Sequence, residues 1–133
     1  MIFVDTGAFL GWYLPSDQYH RKASQFWKTL QETQEPCYTS NFVVDEVLTL
    51  LGRRADYGFA ANRAQVLYSS KALVILRPQA QDEKNALQWF QKLSDQQVSF
   101  TDCISFALMK KQKLTRVFTF DEHFQRAGFQ VVP

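Results

Sequence analysis

The chain alternates short apolar segments with longer segments in which apolar residues recur every three to four positions. The short runs are typical of buried strands, and the longer segments have the period of amphipathic helices. Strands that alternate with helices need crossover connections, which favour a mostly parallel sheet covered by helices on both faces. The sequence therefore predicts an α/β fold with three layers, helices, sheet and helices.

The individual segments follow from apolar runs and from residues that begin or end helices. Five strands are predicted: residues 2–4, 37–39, 72–76, 117–120 and 129–132. The first, third and fourth should lie in the interior and the last at an edge. Helices are predicted from the spacing of apolar residues over 19–30, 42–51, 57–68 and 86–93. Two more helices should begin at Ser99 and at Asp121, and Gly128 should end the second of them.

Composition limits the class of protein. With 133 residues and 46% hydrophobic content, the chain suits one domain, residues 1–133. Cys37 and Cys103 have no partners at metal-ligand spacing, which argues against a zinc site or a disulfide framework. A net charge of +2 is compatible with nucleic-acid binding without indicating it. No secretion signal or membrane-spanning run is found, so we expect a cytoplasmic protein without membrane contact.

Four acidic residues occupy places where a charge is harder to explain than on a solvated surface: Asp5, Glu46, Asp102 and Asp121. Asp5 and Asp121 each follow a predicted strand, and ligand sites in parallel sheets lie outside the carboxyl ends of the strands. Glu46 borders the apolar face of its helix, where a charge needs a partner. Its neighbour Asp45 points about a quarter turn away and is interpreted as solvated.

Each acid also has a purely structural explanation. Asp5 and Asp121 can cap the helices that follow them, and Asp102 can form a capping box with Ser99. Glu46 can form a salt bridge with Arg53 or Arg54. The joint pattern is more informative, since Mg²⁺ prefers hard oxygen ligands and uses only a few carboxylates directly. Four acids can hold one or two such ions, which would polarise a phosphodiester and activate water.

In their order and local context, these acids resemble those of the PIN-domain nucleases, particularly the small toxin ribonucleases of the VapC kind. The resemblance spans nearly the whole chain and rests on four segments: FVDTGAF at residues 3–9, DEVL at 45–48, SFTD at 99–102 and FTFDEHF at 118–124. It implies a parallel sheet between helices, which agrees with the alternation of segments.

The resemblance also implies roles for individual residues and partners. Asp5, Glu46, Asp102 and Asp121 match metal-binding acids of the family, with Mg²⁺ or Mn²⁺ as cofactor. Thr6 and Thr119 match hydroxyl positions that support those acids. The implied activity is endoribonucleolytic hydrolysis of RNA. The implied partners are a second copy of the chain and, for a toxin, a cognate antitoxin protein.

Two other functions remain open at this stage. An aspartyl-phosphate phosphatase of the haloacid-dehalogenase type also places Asp after an N-terminal strand, but its second Asp would fall at Gly7. An RNA- or protein-binding module without catalysis would use the acids only as caps and in salt bridges.

Several further residues are candidates for contacts outside the acid cluster, which is the name used here for Asp5, Glu46, Asp102 and Asp121. Arg53, Arg54, Lys110 and Lys111 could bind phosphates of an RNA backbone, although solvated helix ends explain them equally well. His123, two residues after Asp121, could reach the acids or face solvent, and the solvent-facing interpretation is preferred for it as for His20. Four aromatic residues could form an exposed partner site or pack in the core: Trp12, Tyr13, Phe26 and Trp27. Core packing is favoured for Phe26 and Trp27.

Overall fold

A five-stranded sheet with all strands parallel forms the centre of the protein, for which a computed structural model describes residues 1–133. Its strands are β1 (Ile2–Val4), β2 (Cys37–Ser40), β3 (Leu73–Leu76), β4 (Arg116–Phe118) and β5 (Gln130–Val132). They lie in the order β3-β2-β1-β4-β5. In the central pairs, Phe3 lies beside Tyr38 of β2 and Val117 of β4. The predicted parallel α/β fold is confirmed.

Seven helices flank the sheet: α1 (Thr6–Tyr13), α2 (His20–Thr33), α3 (Asn41–Arg54), α4 (Tyr57–Ser69), α5 (Ala80–Lys92), α6 (Phe100–Lys111) and α7 (His123–Arg126). The side chain of Ser40 accepts a hydrogen bond from the N–H of Val43 at 3.1 Å, which caps α3. Gly128 follows α7 with a φ of 98°, a conformation that favours glycine at the end of a helix. No helix is long and apolar enough to cross a bilayer.

Two segments differ from the prediction. For helix α1 only a capping residue, Asp5, was identified and no extent was predicted, because the helix is buried on most sides and so lacks a polar face to reveal its period. Strand β3 was expected in the interior but lies at an edge, where Val74 is 46% exposed. A short apolar run indicates a strand without indicating its place in the sheet.

The core joins the sheet to the helices on which the acids lie. Ile2, Phe3 and Val4 are fully buried, so β1 is held in the middle of the molecule. The rings of Phe106 in α6 and Phe124 in α7 meet edge to face, with centroids 4.9 Å apart. This contact fixes the short helix after Asp121 against the helix that carries Asp102.

The expected aromatic patch is largely part of this packing. Trp12 stacks on the buried Trp27 with ring centroids 4.5 Å apart, and Phe26 meets Phe118 edge to face at 4.7 Å. Core packing is thus confirmed for Phe26 and Trp27. Trp12, Tyr13 and Trp27 also line an apolar cavity of about 640 Å³ that extends to α4 and β3.

Candidate active site

The strand order reverses between β1 and β4, and the candidate site lies at the carboxyl ends of these two neighbours. The backbone N–H of Asp5, just after β1, donates to the carbonyl of Phe118 at 3.0 Å. Thr119 and Asp121 follow β4 directly. A reversal of strand order leaves a crevice between the connections on either side, where ligands of open α/β sheets bind.

Asp5 is the most buried of the four acids, with 5% of its surface exposed. It occupies the N-cap position of α1, but its side chain makes no capping hydrogen bond. Instead, Oδ2 accepts a hydrogen bond from the hydroxyl of Thr119 at 2.8 Å, while the buried Oδ1 has no partner. Burial raises the pKa of Asp5 to about 6, against the lowering effect of the Thr119 hydrogen bond.

Asp102 lies in the first turn of α6 and is also buried. Ser99 caps this helix, because its Oγ accepts a hydrogen bond from the N–H of Asp102 at 3.1 Å. The predicted capping box is only half formed, since the Asp102 carboxyl makes no return bond to Ser99. Burial, with the nearby charges of Asp5, Asp121 and Glu46, raises the pKa of Asp102 to about 9.

Asp121 has both of the roles that the sequence suggested as alternatives. Its Oδ1 accepts a hydrogen bond from the N–H of His123 at 2.9 Å, at the start of α7. Its carboxylate is also close enough to Asp102 to raise the pKa of that group. The backbone N–H of Asp121 donates to the hydroxyl of Thr119 at 3.0 Å, so this threonine connects Asp121 to Asp5.

Glu46 reaches the cluster from the second turn of α3. It is half-buried and forms no salt bridge with Arg53 or Arg54, contrary to the structural explanation of this residue. Its charge contributes to the raised pKa values of Asp5 and Asp102. The neighbouring Asp45 is exposed, as predicted. All four acids of the predicted set are therefore brought together.

The two predicted supporting threonines differ in their contacts. Thr119, only 1% exposed, donates one hydrogen bond to Asp5 and accepts another from the N–H of Asp121. The buried hydroxyl of Thr6 has no hydrogen-bond partner. The backbone N–H of Thr6 nevertheless helps to lower the pKa of Asp5.

The basic residues proposed for RNA contact lie away from the acids. Lys110 is eight positions beyond Asp102 in α6, about 12 Å along the helix axis. Lys111 forms a salt bridge with Asp82 at 3.2 Å. Arg53 and Arg54 are exposed at the end of α3. Their contact with RNA stays a prediction, and it would concern nucleotides that flank the cleaved bond.

His123 is the main residue whose place the sequence analysis misjudged. It is half-buried instead of solvent-facing, and its Nδ1 lies 2.8 Å from Oδ1 of Asp121. Its separation of two residues from Asp121 was the only signal in the sequence. His20 is also half-buried, with Nδ1 2.8 Å from the carbonyl oxygen of Gly11.

The donor set suits a divalent cation. Carboxylates that gather in a buried place repel one another and need a positive partner. None of the four acids forms a salt bridge with a lysine or an arginine. Oδ1 of Asp5 is a buried oxygen without a hydrogen-bond partner. Hard oxygen donors of this kind are the ligands that Mg²⁺ and Mn²⁺ accept.

Comparisons with known proteins agree with this arrangement. Residues 2–130 match the PIN domain family. The chain is 33% identical over 129 residues to the 23S rRNA-specific endonuclease VapC20 of Mycobacterium tuberculosis, covering 97% of this chain and 95% of that protein.

Solved structures give the same result for the fold. The crystal structure of M. tuberculosis VapC20, described as a sarcin-ricin loop cleaving toxin, matches with a TM-score of 0.88 and 31% identity over 97% of this chain and 96% of that one. FitAcB from Neisseria gonorrhoeae shares the fold, with a TM-score of 0.74 and 19% identity over 100% and 97% of the two chains. With these matches and the acids at the strand reversal, the chain belongs to the PIN domain family.

Proposed function

We propose that this protein is a metal-dependent endoribonuclease that hydrolyses RNA phosphodiester bonds within a single domain, residues 1–133. The observation that carries the proposal is the gathering of four acids from distant parts of the chain around β1 and β4, without a lysine or arginine to neutralise them. Asp5, Glu46, Asp102 and Asp121 are the proposed ligands of Mg²⁺ or Mn²⁺.

The chain's own groups have distinct tasks in this proposal. A bound divalent ion would polarise the phosphodiester and lower the pKa of a water molecule that attacks it. Thr119 orients Asp5 by its hydrogen bond and leaves Oδ1 of Asp5 free for the ion. The N–H of His123 holds Oδ1 of Asp121 in place. Burial of Asp5 and Asp102 makes each carboxylate a costly charge in the absence of a cation.

Neither thiol of the chain offers another nucleophile. Cys103 is next to Asp102 in the chain, and burial together with that carboxylate raises the pKa of its thiol to about 11. Burial likewise raises the pKa of Cys37 to about 11. Thiols with such values are almost entirely protonated at neutral pH and are poor nucleophiles. This supports hydrolysis by activated water.

RNA is proposed as the substrate because VapC20, the relative described above, is named for cleavage of 23S rRNA and of the sarcin-ricin loop. The name of the solved relative as a toxin supports the role of a toxin for this chain. A cognate antitoxin protein, a homodimer and a cytoplasmic location are proposed from the resemblance to the family. Ribosomal RNA is therefore the first substrate to test. Arg53, Arg54, Lys110 and Lys111 are proposed to contact the flanking backbone.

The test is cleavage of purified ribosomes and of isolated ribosomal RNA by the purified protein, with mapping of new RNA ends. Cleavage is expected with Mg²⁺ or Mn²⁺, and it should stop in EDTA. Asp5→Asn and Glu46→Gln should each reduce cleavage by orders of magnitude while the fold is kept. Asp45→Asn is the matched control for Glu46→Gln, because Asp45 is the exposed neighbour on the same helix.

The alternatives predict different results in the same experiment. A binding module without catalysis would bind RNA and leave it intact under all conditions. An enzyme that does not use these acids would cleave equally well in EDTA or with Asp5→Asn. Either result would contradict the proposed function.

A further inference from the structure

His123 is held in one orientation by a backbone carbonyl. Its Nε2 lies 3.0 Å from the carbonyl oxygen of Gln96, in the connection between α5 and α6. A carbonyl oxygen only accepts hydrogen bonds, so Nε2 carries the hydrogen and donates it. In the neutral ring, the other nitrogen, Nδ1, then has a free lone pair.

That lone pair lies inside the acid cluster. Nδ1 is buried and has no hydrogen-bond partner, because its 2.8 Å approach to Oδ1 of Asp121 lacks the geometry of a hydrogen bond. A lone pair beside a carboxylate oxygen is unfavourable unless a proton or a metal cation lies between the two atoms. Asp102, Asp121 and His123 each offer one donor atom, and these three atoms lie within 4.8 Å of one another.

We propose that Nδ1 of His123 is a ligand of the divalent ion, together with carboxylate oxygens of Asp102 and Asp121. This inference rests on the proposed function, since it concerns the same metal site. An ion with ligands at about 2.1 Å keeps neighbouring donors about 3 Å apart and opposite donors about 4.2 Å apart. The 2.8 Å between Nδ1 of His123 and Oδ1 of Asp121 suits neighbouring donors, and the donor atom of Asp102 lies no more than 4.8 Å from either. Asp5 adds a buried oxygen without a partner.

The surroundings of His123 are those of a metal-binding histidine. Such a ring almost always donates its second N–H to a carboxylate or a backbone carbonyl, which fixes the tautomer and the direction of the ligand nitrogen. Gln96 supplies that carbonyl. Next to it, Gln97 has a left-handed φ of 55°, a costly conformation that persists where the surrounding structure holds it. The adjacent Phe124 anchors the segment against Phe106.

An imidazole ligand has a consequence for the choice of metal. Oxygen ligands suit Mg²⁺ and Mn²⁺ alike, but a nitrogen donor favours a transition-metal ion over Mg²⁺. The site should therefore bind Mn²⁺ more tightly than Mg²⁺, and His123 should account for much of the difference.

Electron spin-echo envelope modulation of protein loaded with Mn²⁺ tests this inference directly and without RNA. We expect a ¹⁴N coupling of the kind produced by a coordinated imidazole. Uniform ¹⁵N labelling of the wild type should convert it to a ¹⁵N coupling, which needs no substitution and so no assumption about folding. The chain has only two histidines, so His123→Gln should remove the coupling and His20→Gln, the matched control, should retain it.

Calorimetric titration provides the second measurement. His123→Gln should weaken Mn²⁺ binding by roughly tenfold or more and Mg²⁺ binding by clearly less. Bound Mn²⁺ without nitrogen coupling in the wild type, or equal losses for both ions, would overturn the ligand role of His123 and leave the proposed function standing. A protein that binds neither ion would overturn both.

Discussion

The hydroxyl of Thr119 donates a hydrogen bond to Oδ2 of Asp5 at 2.8 Å, although the two residues are 114 positions apart in the chain. The hydroxyl oxygen of Thr119 also accepts a hydrogen bond from the N–H of Asp121 at 3.0 Å. One side chain therefore sets the positions of two acids on neighbouring strands, and its replacement should affect both.

Thr119→Val keeps the shape of the side chain and removes the hydroxyl. We expect metal affinity and cleavage to fall by roughly 10- to 100-fold, as is usual when a group that orients a metal ligand is lost. Two buried polar groups would also lose their partner, at a cost of about 1–3 kcal/mol each in free energy of unfolding. Calorimetry and melting curves measure these effects. Thr119→Ser should retain most of the metal affinity and most of the stability. If Thr119→Val changes neither, the role given to this residue is contradicted.

The cap and the charge of Asp121 can be separated by two substitutions. Asn at this position can still accept the hydrogen bond from the N–H of His123 but carries no charge, whereas Ala loses both. In EDTA, Asp121→Asn should melt higher than the wild type, because repulsion among the acids is relieved. Asp121→Ala should melt lower than Asp121→Asn by the cost of a lost cap, about 0.5–2 kcal/mol.

Metal should raise the stability of the wild type relative to both Asp121 variants. Mg²⁺ at about ten times its dissociation constant would stabilise the wild type by roughly 1.4 kcal/mol. Both variants should lose most of this gain, which melting curves with and without Mg²⁺ will measure. If Asp121→Asn retains the full shift, Asp121 is only a cap.

Stability without metal should depend on pH through Asp5 and Asp102. Their folded-state pKa values of about 6 and about 9 lie above the ordinary value of 3.8. Between pH 4 and pH 9, about the range of these values, the folded protein therefore binds more protons than the unfolded chain. The free energy of unfolding should therefore fall as pH rises from about 4 to about 9.

This pH dependence can be checked by denaturation in EDTA at several pH values. Asp102→Asn should flatten the decline above pH 6, because the group with the larger shift is removed. Added metal should restore stability at high pH. A metal-free protein whose stability rises from pH 5 to pH 8 would contradict the raised pKa values.

The proposed homodimer has a candidate surface on α5 and α6. Leu87 and Phe90 lie three residues apart on α5, are 47% and 43% exposed, and Phe90 meets Phe100 edge to face at 5.6 Å. Sedimentation should give about 31 kDa, twice the 15.5 kDa of one chain. Phe90→Lys should yield the monomer, and Tyr68→Lys, at an exposed position on α4, should not. A monomeric wild type at high concentration would contradict the dimer.

Much of this molecule could be predicted because its strands and acids leave local signals. The run of residues 2–4 predicts β1, and an acid directly after it indicates the end of a strand. Asp102 and Asp121 were harder to judge, since a helix cap and a metal ligand have the same residue type at the same place. Asp121 both caps α7 and lies beside Asp102, and the local sequence does not distinguish these two roles.

The remainder depends on contacts between distant segments. The carbonyl of Gln96 has no side-chain signal, so its bond to His123 could not be predicted. The extent of helix α1 was not predicted, because burial on most sides removes the alternation of polar and apolar residues. The edge position of β3 follows from how the strands are ordered, and an apolar segment carries no such information.

The pairing of β1 with β4 also determines when the protein can act. Under the proposed function, the complete set of acids exists only after β1 has paired with β4, which is made more than a hundred residues later. A nascent chain on the ribosome that ends before Asp121 lacks one of the four acids and should leave RNA intact. Local opening of the sheet centre in the finished protein separates Asp5 from Thr119 and abolishes the site in the same way. The nuclease is thus active only as a fully folded chain.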